Sequence, residues 1–224
     1  MSRRLPVYLL IDCSGSMRGD PIQAVRVGVD SLVSALMTYP ATFSCAYLSV
    51  ITFENDAKSL MSLTSLSDFR TPDFSVSPGG SGTSLGKALQ LLETQVKQEV
   101  QKKDSAHQGD WLPLVFILTD GKPSDTATYK RMAQRIKSKE IKELQSQNIV
   151  ACAAGAKADP KELLKVTDNV LILNNLTTTE ITNYFTFASM FASSTVGNAG
   201  RGAQSFGDAA KNAGLQTVGT VGLD

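Results

Sequence analysis

Histidine is almost absent from this sequence: the only one is His107, in a polar loop just before Trp111. Cysteine is scarce too, with three residues at positions 13, 45 and 152. Thiols so few and so scattered form no disulfide framework and fit a reducing compartment. They lie in or beside separate strands, read as small buried residues, and cannot assemble a zinc site. A lone loop histidine reads as a solvated surface residue. With no Gly-x-Ser-x-Gly elbow either, serine-hydrolase chemistry lacks its parts. Net charge is missing as well: 22 basic against 21 acidic residues leave +1, no field for nucleic acid or an anionic membrane. No apolar run approaches the roughly 18 residues that span a bilayer. Arg3 and Arg4 before the run Leu5 to Ile11 imitate a signal peptide, but the run stops at Asp12 and has no small-residue cleavage site. The expectation is a soluble, cytoplasmic globular protein of 224 residues, one domain with an appendage.

What is present alternates. Leu5 to Ile11 is apolar throughout, as in a strand buried on both faces, and Leu112 to Thr119 is a second strongly apolar run. Phe43 to Phe53 reads as a second strand and Lys58 to Leu63 as a third, paired antiparallel across the turn Glu54-Asn55-Asp56. Ile149 to Ala154 and Val170 to Leu173 complete the set. Between them lie amphipathic stripes: Ile22 to Met37, Leu85 to Val96, Tyr129 to Leu144, Pro160 to Val166, and Thr179 to about Met190. Strands alternating with helices predict an α/β fold with a mostly parallel sheet. After Ala192 the composition shifts to Gly, Ala, Ser, Thr and Asn. We expect a domain over 1–192 and a flexible tail over 193–224, with a faint helical pattern (Phe206, Ala209, Ala210, Leu215) that leaves room for docking on a partner.

In open α/β sheets ligands bind at the carboxyl ends of the strands. Three loops converge there: Asp12-Cys13-Ser14-Gly15-Ser16 after the first strand, Gly79-Gly80-Ser81-Gly82-Thr83 before a helix, and Thr119-Asp120-Gly121 after the central strand. Asp12, Asp120, Ser14, Ser16 and Thr83 form a set of hard oxygen ligands suited to Mg²⁺, Ca²⁺ or Mn²⁺. Two carboxylates at best neutralise a divalent ion, so a coordination position stays open for an acidic side chain of a partner. Alone, each loop is ambiguous: an N-cap, an ordinary loop, a turn. Their shared placement makes them a site.

In this order, Asp12 to Met17, Gly82-Thr83-Ser84-Leu85-Gly86 and Thr119-Asp120-Gly121 resemble the von Willebrand factor A domain over about residues 5–190. The resemblance implies a Rossmann-like, mostly parallel six-stranded sheet with one antiparallel edge strand and helices on both faces. It also implies a metal-ion-dependent adhesion site (MIDAS) with Ser14, Ser16 and Thr83 as direct ligands and Asp12 and Asp120 acting mainly through water. Gly15, Gly82, Ser84, Gly121 and Asp125 would support these ligands or touch a partner. Longer segments (Arg3-Arg4-Leu5-Pro6-Val7, Gly109-Asp110-Trp111-x-Pro113, and Thr119 to Asp125) resemble the bacterial tellurite-resistance TerY-type proteins. That likeness implies a non-enzymatic interaction module of a stress-response system, with a TerD-type partner and associated kinases or phosphatases.

Other readings compete. The stretch 79–87 departs from both nucleotide-binding glycine patterns: Ser81 and Ala88 stand where a Walker A motif needs glycine and a hydroxyl, and Leu85 where a dinucleotide fingerprint needs glycine. A Mg²⁺-dependent phosphatase or phosphotransferase using the same carboxylates is the alternative function; no lysine or arginine is obviously poised for a phosphate near Ser14, and Lys122 is the one candidate. Asp125 reads either as a cap of the helix it precedes or as a carboxylate at the metal rim. The basic run Lys130 to Lys142 reads as a solvated face or a patch for an acidic partner.

Overall fold

The computed structural model describes residues 3–77, 82–105, 108–197 and 206–218. Gly79, Gly80, Ser81 and His107, singled out above, lie outside the described residues. In chain order the elements are β1 (Leu5–Asp12), α1 (Asp20–Thr38), α2 (Pro40–Phe43), β2 (Ala46–Phe53), β3 (Ala57–Ser65), α3 (Leu85–Glu99), β4 (Leu114–Thr119), α4 (Thr126–Lys137), β5 (Ile149–Ala154), α5 (Pro160–Leu163), β6 (Val170–Leu173), α6 (Thr178–Gly197), α7 (Phe206–Asn212) and β7 (Gln216–Thr217). They build one seven-stranded sheet in the order β3-β2-β1-β4-β5-β6-β7. The inner pairings are parallel, and both edge strands run antiparallel.

The uninterrupted apolar strands follow from this layering, because helices cover both faces of the sheet. Leu5, Val7, Leu9 and Ile11 of β1 join the core under α1 and α6, while Tyr8 and Leu10 join the opposite core under α3 and α4. The strand order reverses at β1: α1, which follows it, lies in one core, and α4, which follows its neighbour β4, lies in the other. The crevice outside the carboxyl ends of β1 and β4 is therefore the place where this fold takes ligands. Both aspartates end up there: Asp12 is the last residue of β1, and Asp120 directly follows β4.

At the opposite end of the sheet, two segments distant in sequence meet. The Arg4 guanidinium donates to both carboxylate oxygens of Asp110, at 2.9 and 2.6 Å, and the Asp110 side chain is almost fully buried. Arg3 stacks over the Trp111 ring, 4.1 Å from its centroid. A bidentate guanidinium–carboxylate pair fixes orientation as well as charge. Here it ties the entry of β1 to the entry of β4.

Part of the segment read as a tail is built into the fold. Residues 193–197 complete α6, and 206–218 fold back as α7 and β7, with Ile172↔Gln216 and Leu171↔Thr217 extending the sheet by one antiparallel strand. Ala209 and Ala210 are buried, and Phe206 packs edge-on against Phe187 at 5.7 Å. The helical spacing that left room for docking on a partner docks on the chain's own core. Small side chains allow this, since alanines let α7 lie close to its neighbours while adding little to the hydrophobic signal. The sheet therefore has seven strands and two antiparallel edges rather than six and one. The remainder, 198–205 and 219–224, lies outside the described residues. Among those described, no helix is long and apolar enough to cross a membrane.

Candidate metal centre

Asp12 is fully buried, and both of its carboxylate oxygens accept protein donors. The Ser14 amide donates to Oδ1 at 2.8 Å, and the Thr119 hydroxyl donates to Oδ2 at 2.6 Å. The chain then turns through a 3₁₀ turn, Gly15–Met17, pinned by the Met17 amide on the Ser14 carbonyl and by burial of the Met17 side chain. That path leaves Ser14 Oγ 3.3 Å from Ser16 Oγ and 3.4 Å from Asp120 Oδ1, to which it donates. Ser14 and Asp120 are buried, whereas Gly15 and Ser16 are exposed.

The Thr83 loop is clamped from two sides. The β2–β3 hairpin turn holds one: the Gly82 amide donates to Asn55 Oδ1 at 2.9 Å, the Ser84 amide to the Glu54 carbonyl at 2.7 Å, and Ser84 Oγ to the Asn55 carbonyl at 3.0 Å. Ser124 holds the other, accepting from the Thr83 amide at 2.9 Å and donating its own amide to the Thr83 carbonyl at 3.0 Å. A Cβ on Gly121 would lie 2.8 Å from Thr83 Oγ1, so only glycine lets the loop after β4 close on this hydroxyl.

Asp125 does not cap the helix it precedes. It stands at the N-cap position of α4 but makes no side-chain bond to that helix. Its two oxygens instead accept the Gly86 amide at 3.1 Å and the Lys87 amide at 2.7 Å, capping the first turn of α3. The carboxylate is thereby committed to joining the Thr83 loop to the Asp120 loop.

Ser14, Ser16, Thr83 and Asp120 face a shared open cleft of about 470 Å³, whose rim carries Gly15, Gly121, Lys122 and Lys157. Burial raises the Asp12 carboxyl to about 6, against the opposing hydrogen bonds from Thr119 and Ser14, and the nearby Asp120 adds to the rise. Burial also pushes the Cys13 thiol up to about 12 and the Cys152 thiol well above its ordinary value. These two cysteines are poor nucleophiles and poor metal ligands here.

These residues fit a hard divalent ion. Among the described residues no three His, Cys, Asp or Glu side chains converge as a metal cluster; the donors of this site are two carboxylates and three hydroxyls. Adjacent ligands of an octahedral ion lie about 2.9 Å apart for Mg²⁺ and about 3.4 Å for Ca²⁺. The 3.3 Å separation of the Ser14 and Ser16 hydroxyls suits such an ion with a shift of a few tenths of an ångström. Both oxygens of Asp12 already accept protein hydrogen bonds, so its charge acts on an ion from behind the hydroxyls.

Thr119, Ser124, Asn55 and Lys157 were not marked as site residues by sequence. Thr119 lay inside a quoted motif and shows itself only once its hydroxyl meets Asp12. The others act across loops far apart in the chain, and no local pattern signals that. The basic stretch in and after α4 is partly paired within the molecule: Arg135 bonds Glu93 and Glu140, and Lys137 bonds Asp168.

A family model described as the von Willebrand factor type A domain matches residues 7–194. Among solved structures, proximal thread matrix protein 1 (PTMP1) from the mussel byssus is similar at 17% identity and a TM-score of 0.60, over 86% of this chain and 48% of that one. A further PTMP1 structure, with a zinc-occupied MIDAS motif, matches at 17% identity and 0.59, over 86% and 48%. The ArnB paralog VWA2 from Sulfolobus acidocaldarius matches at 17% identity and 0.56, over 82% and 45%. At these identities the likeness is one of fold, and the chain spans about half the length of each of these solved chains. No curated relative matches it.

Proposed function

The chain belongs to the von Willebrand factor type A domain family, and on that premise we propose that it is a metal-dependent protein-interaction module that captures an acidic side chain of a partner. The observation that carries this reading is the meeting of Asp12, Ser14, Ser16, Thr83 and Asp120, from three loops, at the switch point of the sheet. Ser14, Ser16 and Thr83 would hold the ion through their hydroxyls, with Asp12 and Asp120 supplying charge behind them. Mg²⁺ is the ion we assign, with Ca²⁺ and Mn²⁺ as alternatives, because every donor is a hard oxygen. A zinc-occupied MIDAS motif in PTMP1 supports a divalent ion at this place in the fold. When bound, the ion offers an open coordination position to a carboxylate. The chain's own residues orient that position, since the hairpin clamp on Thr83 and the Thr119–Asp12 bond fix the donors before any ligand arrives.

The role is binding rather than catalysis. Lys122, the contact that a phosphoryl-transfer reading would use, is held by Asp159 at 3.0 Å. Sequence likeness to TerY-type proteins supports a place in a tellurium-resistance and stress-response system in the cytoplasm, with a TerD-type protein as partner and kinases or phosphatases as associates. Immobilised protein is expected to retain a TerD-type partner in Mg²⁺ and to release it in chelator, and Thr83→Ala is expected not to retain it. Retention that survives both chelator and Thr83→Ala would refute the metal-dependent mechanism.

A further inference from the structure

We infer that Lys157 is a second anchor for the captured carboxylate: its ammonium group balances the negative charge that the metal-loaded site cannot neutralise. The inference rests on the carboxylate-capture reading above. Gly155, at φ +78°, follows β5 in a conformation that glycine adopts at little cost, and its amide donates to the Leu173 carbonyl at 2.8 Å. The Ala158 amide returns to the Gly155 carbonyl at 3.3 Å, closing a turn with Lys157 in its middle. Lys157 is exposed there and lines the same cleft as Ser14, Ser16, Thr83 and Asp120.

The cleft's other lysine is already spent. Lys122 pairs with Asp159 Oδ2, and Asp159 Oδ1 accepts the Lys161 amide at 3.0 Å, so this carboxylate is occupied on both oxygens. Among the described residues Lys157 has no carboxylate partner. A divalent ion cancels the charges of Asp12 and Asp120 and no more. The arriving carboxylate therefore adds one negative charge to a site whose only uncommitted counter-charge, among the described residues lining the cleft, is the Lys157 ammonium.

A fixed positive charge beside the cleft acts with opposite sign on the two ligands, favouring the anion and opposing the cation. A residue that merely shapes the loop would weaken both. The probes are Mg²⁺ alone, followed by calorimetry, and a capped Gly-Asp-Gly peptide titrated by amide NMR into the Mg²⁺-loaded protein, with capped Gly-Asn-Gly as its neutral twin. In low salt, Lys157→Ala is expected to weaken the aspartyl peptide about fivefold, the upper range for an exposed ion pair. The same change leaves Mg²⁺ affinity unchanged or up to about twofold tighter. Lys157→Arg is expected to keep peptide affinity, and added salt to shrink the difference. Peptide affinity unmoved by Lys157→Ala, or peptide and Mg²⁺ affinities falling together, would overturn the role of Lys157 alone. Failure of wild type to prefer the aspartyl over the asparaginyl peptide would overturn carboxylate capture, and this inference with it.

Discussion

Saturating Mg²⁺ is expected to raise the thermal midpoint of the wild-type protein by about 5–10 °C and to leave Thr83→Ala almost unmoved. An ion bound to the folded state alone stabilises it by about 2.7 kcal/mol at a hundredfold excess over its dissociation constant. In a domain of this size each kcal/mol shifts the midpoint by about 2–4 °C. Thr83 carries the effect because its hydroxyl is the one donor supplied by the loop before α3. It is held in place by backbone bonds to Ser124 that the alanine variant retains. The variant therefore keeps its loop and loses its ligand. Scanning calorimetry with Mg²⁺ and with chelator measures both proteins. A shift of equal size in Thr83→Ala would place the ion elsewhere.

The second large effect is a gain. In the metal-free protein, Asp12→Asn is expected to be more stable than wild type at pH 7.5. The buried Asp12 carboxyl has its pKa raised to about 6, above an unfolded value near 3.9. Its contribution is therefore most favourable below the unfolded pKa and is lost as pH rises through about 6. By pH 7.5 the ionised, metal-free carboxylate costs on the order of 3 kcal/mol. Asparagine keeps an acceptor for the Ser14 amide and presents an NH₂ to the Thr119 hydroxyl, which can turn to accept. The wild-type midpoint in chelator, measured relative to the variant, should thus fall between about pH 4 and 7. In Mg²⁺ the order should reverse, since the ion rewards the charge that burial penalises. A metal-free Asp12→Asn protein less stable than wild type at pH 7.5 would contradict this account of the buried charge.

The same physical cause made this site legible in the sequence. β1 and β4 are buried on both faces, so each reads as an unbroken apolar run, and an aspartate ending such a run has no place in the core except at a functional edge. Asp12 and Asp120 stand out for that reason, with Ser14 and Ser16 two and four residues beyond Asp12. What holds the site together was not legible. The grip of Asn55 on Gly82, of Ser124 on Thr83 and of Asp125 on α3 spans 27, 41 and 38 or 39 residues, and local periodicity carries no trace of such bonds. Asp125 shows how a sound local rule fails: the residue sits where a cap belongs, yet it caps the neighbouring helix. The strand β7 and the packing of α7 on the core were not legible for a different reason. A two-residue strand has no alternation to detect, and α7 buries alanines, whose weak signal resembles that of a low-complexity tail.

The most direct test of the central claim is where a divalent ion binds. Substoichiometric Mn²⁺ added to the isotopically labelled protein broadens amide signals steeply with proximity. Signals of residues 13–16, 82–84 and 120–121 are expected to vanish first, to return on excess Mg²⁺, and to persist throughout in Thr83→Ala. Broadening centred on any other part of the molecule, or the same pattern in Thr83→Ala, would contradict a metal site built from these three loops.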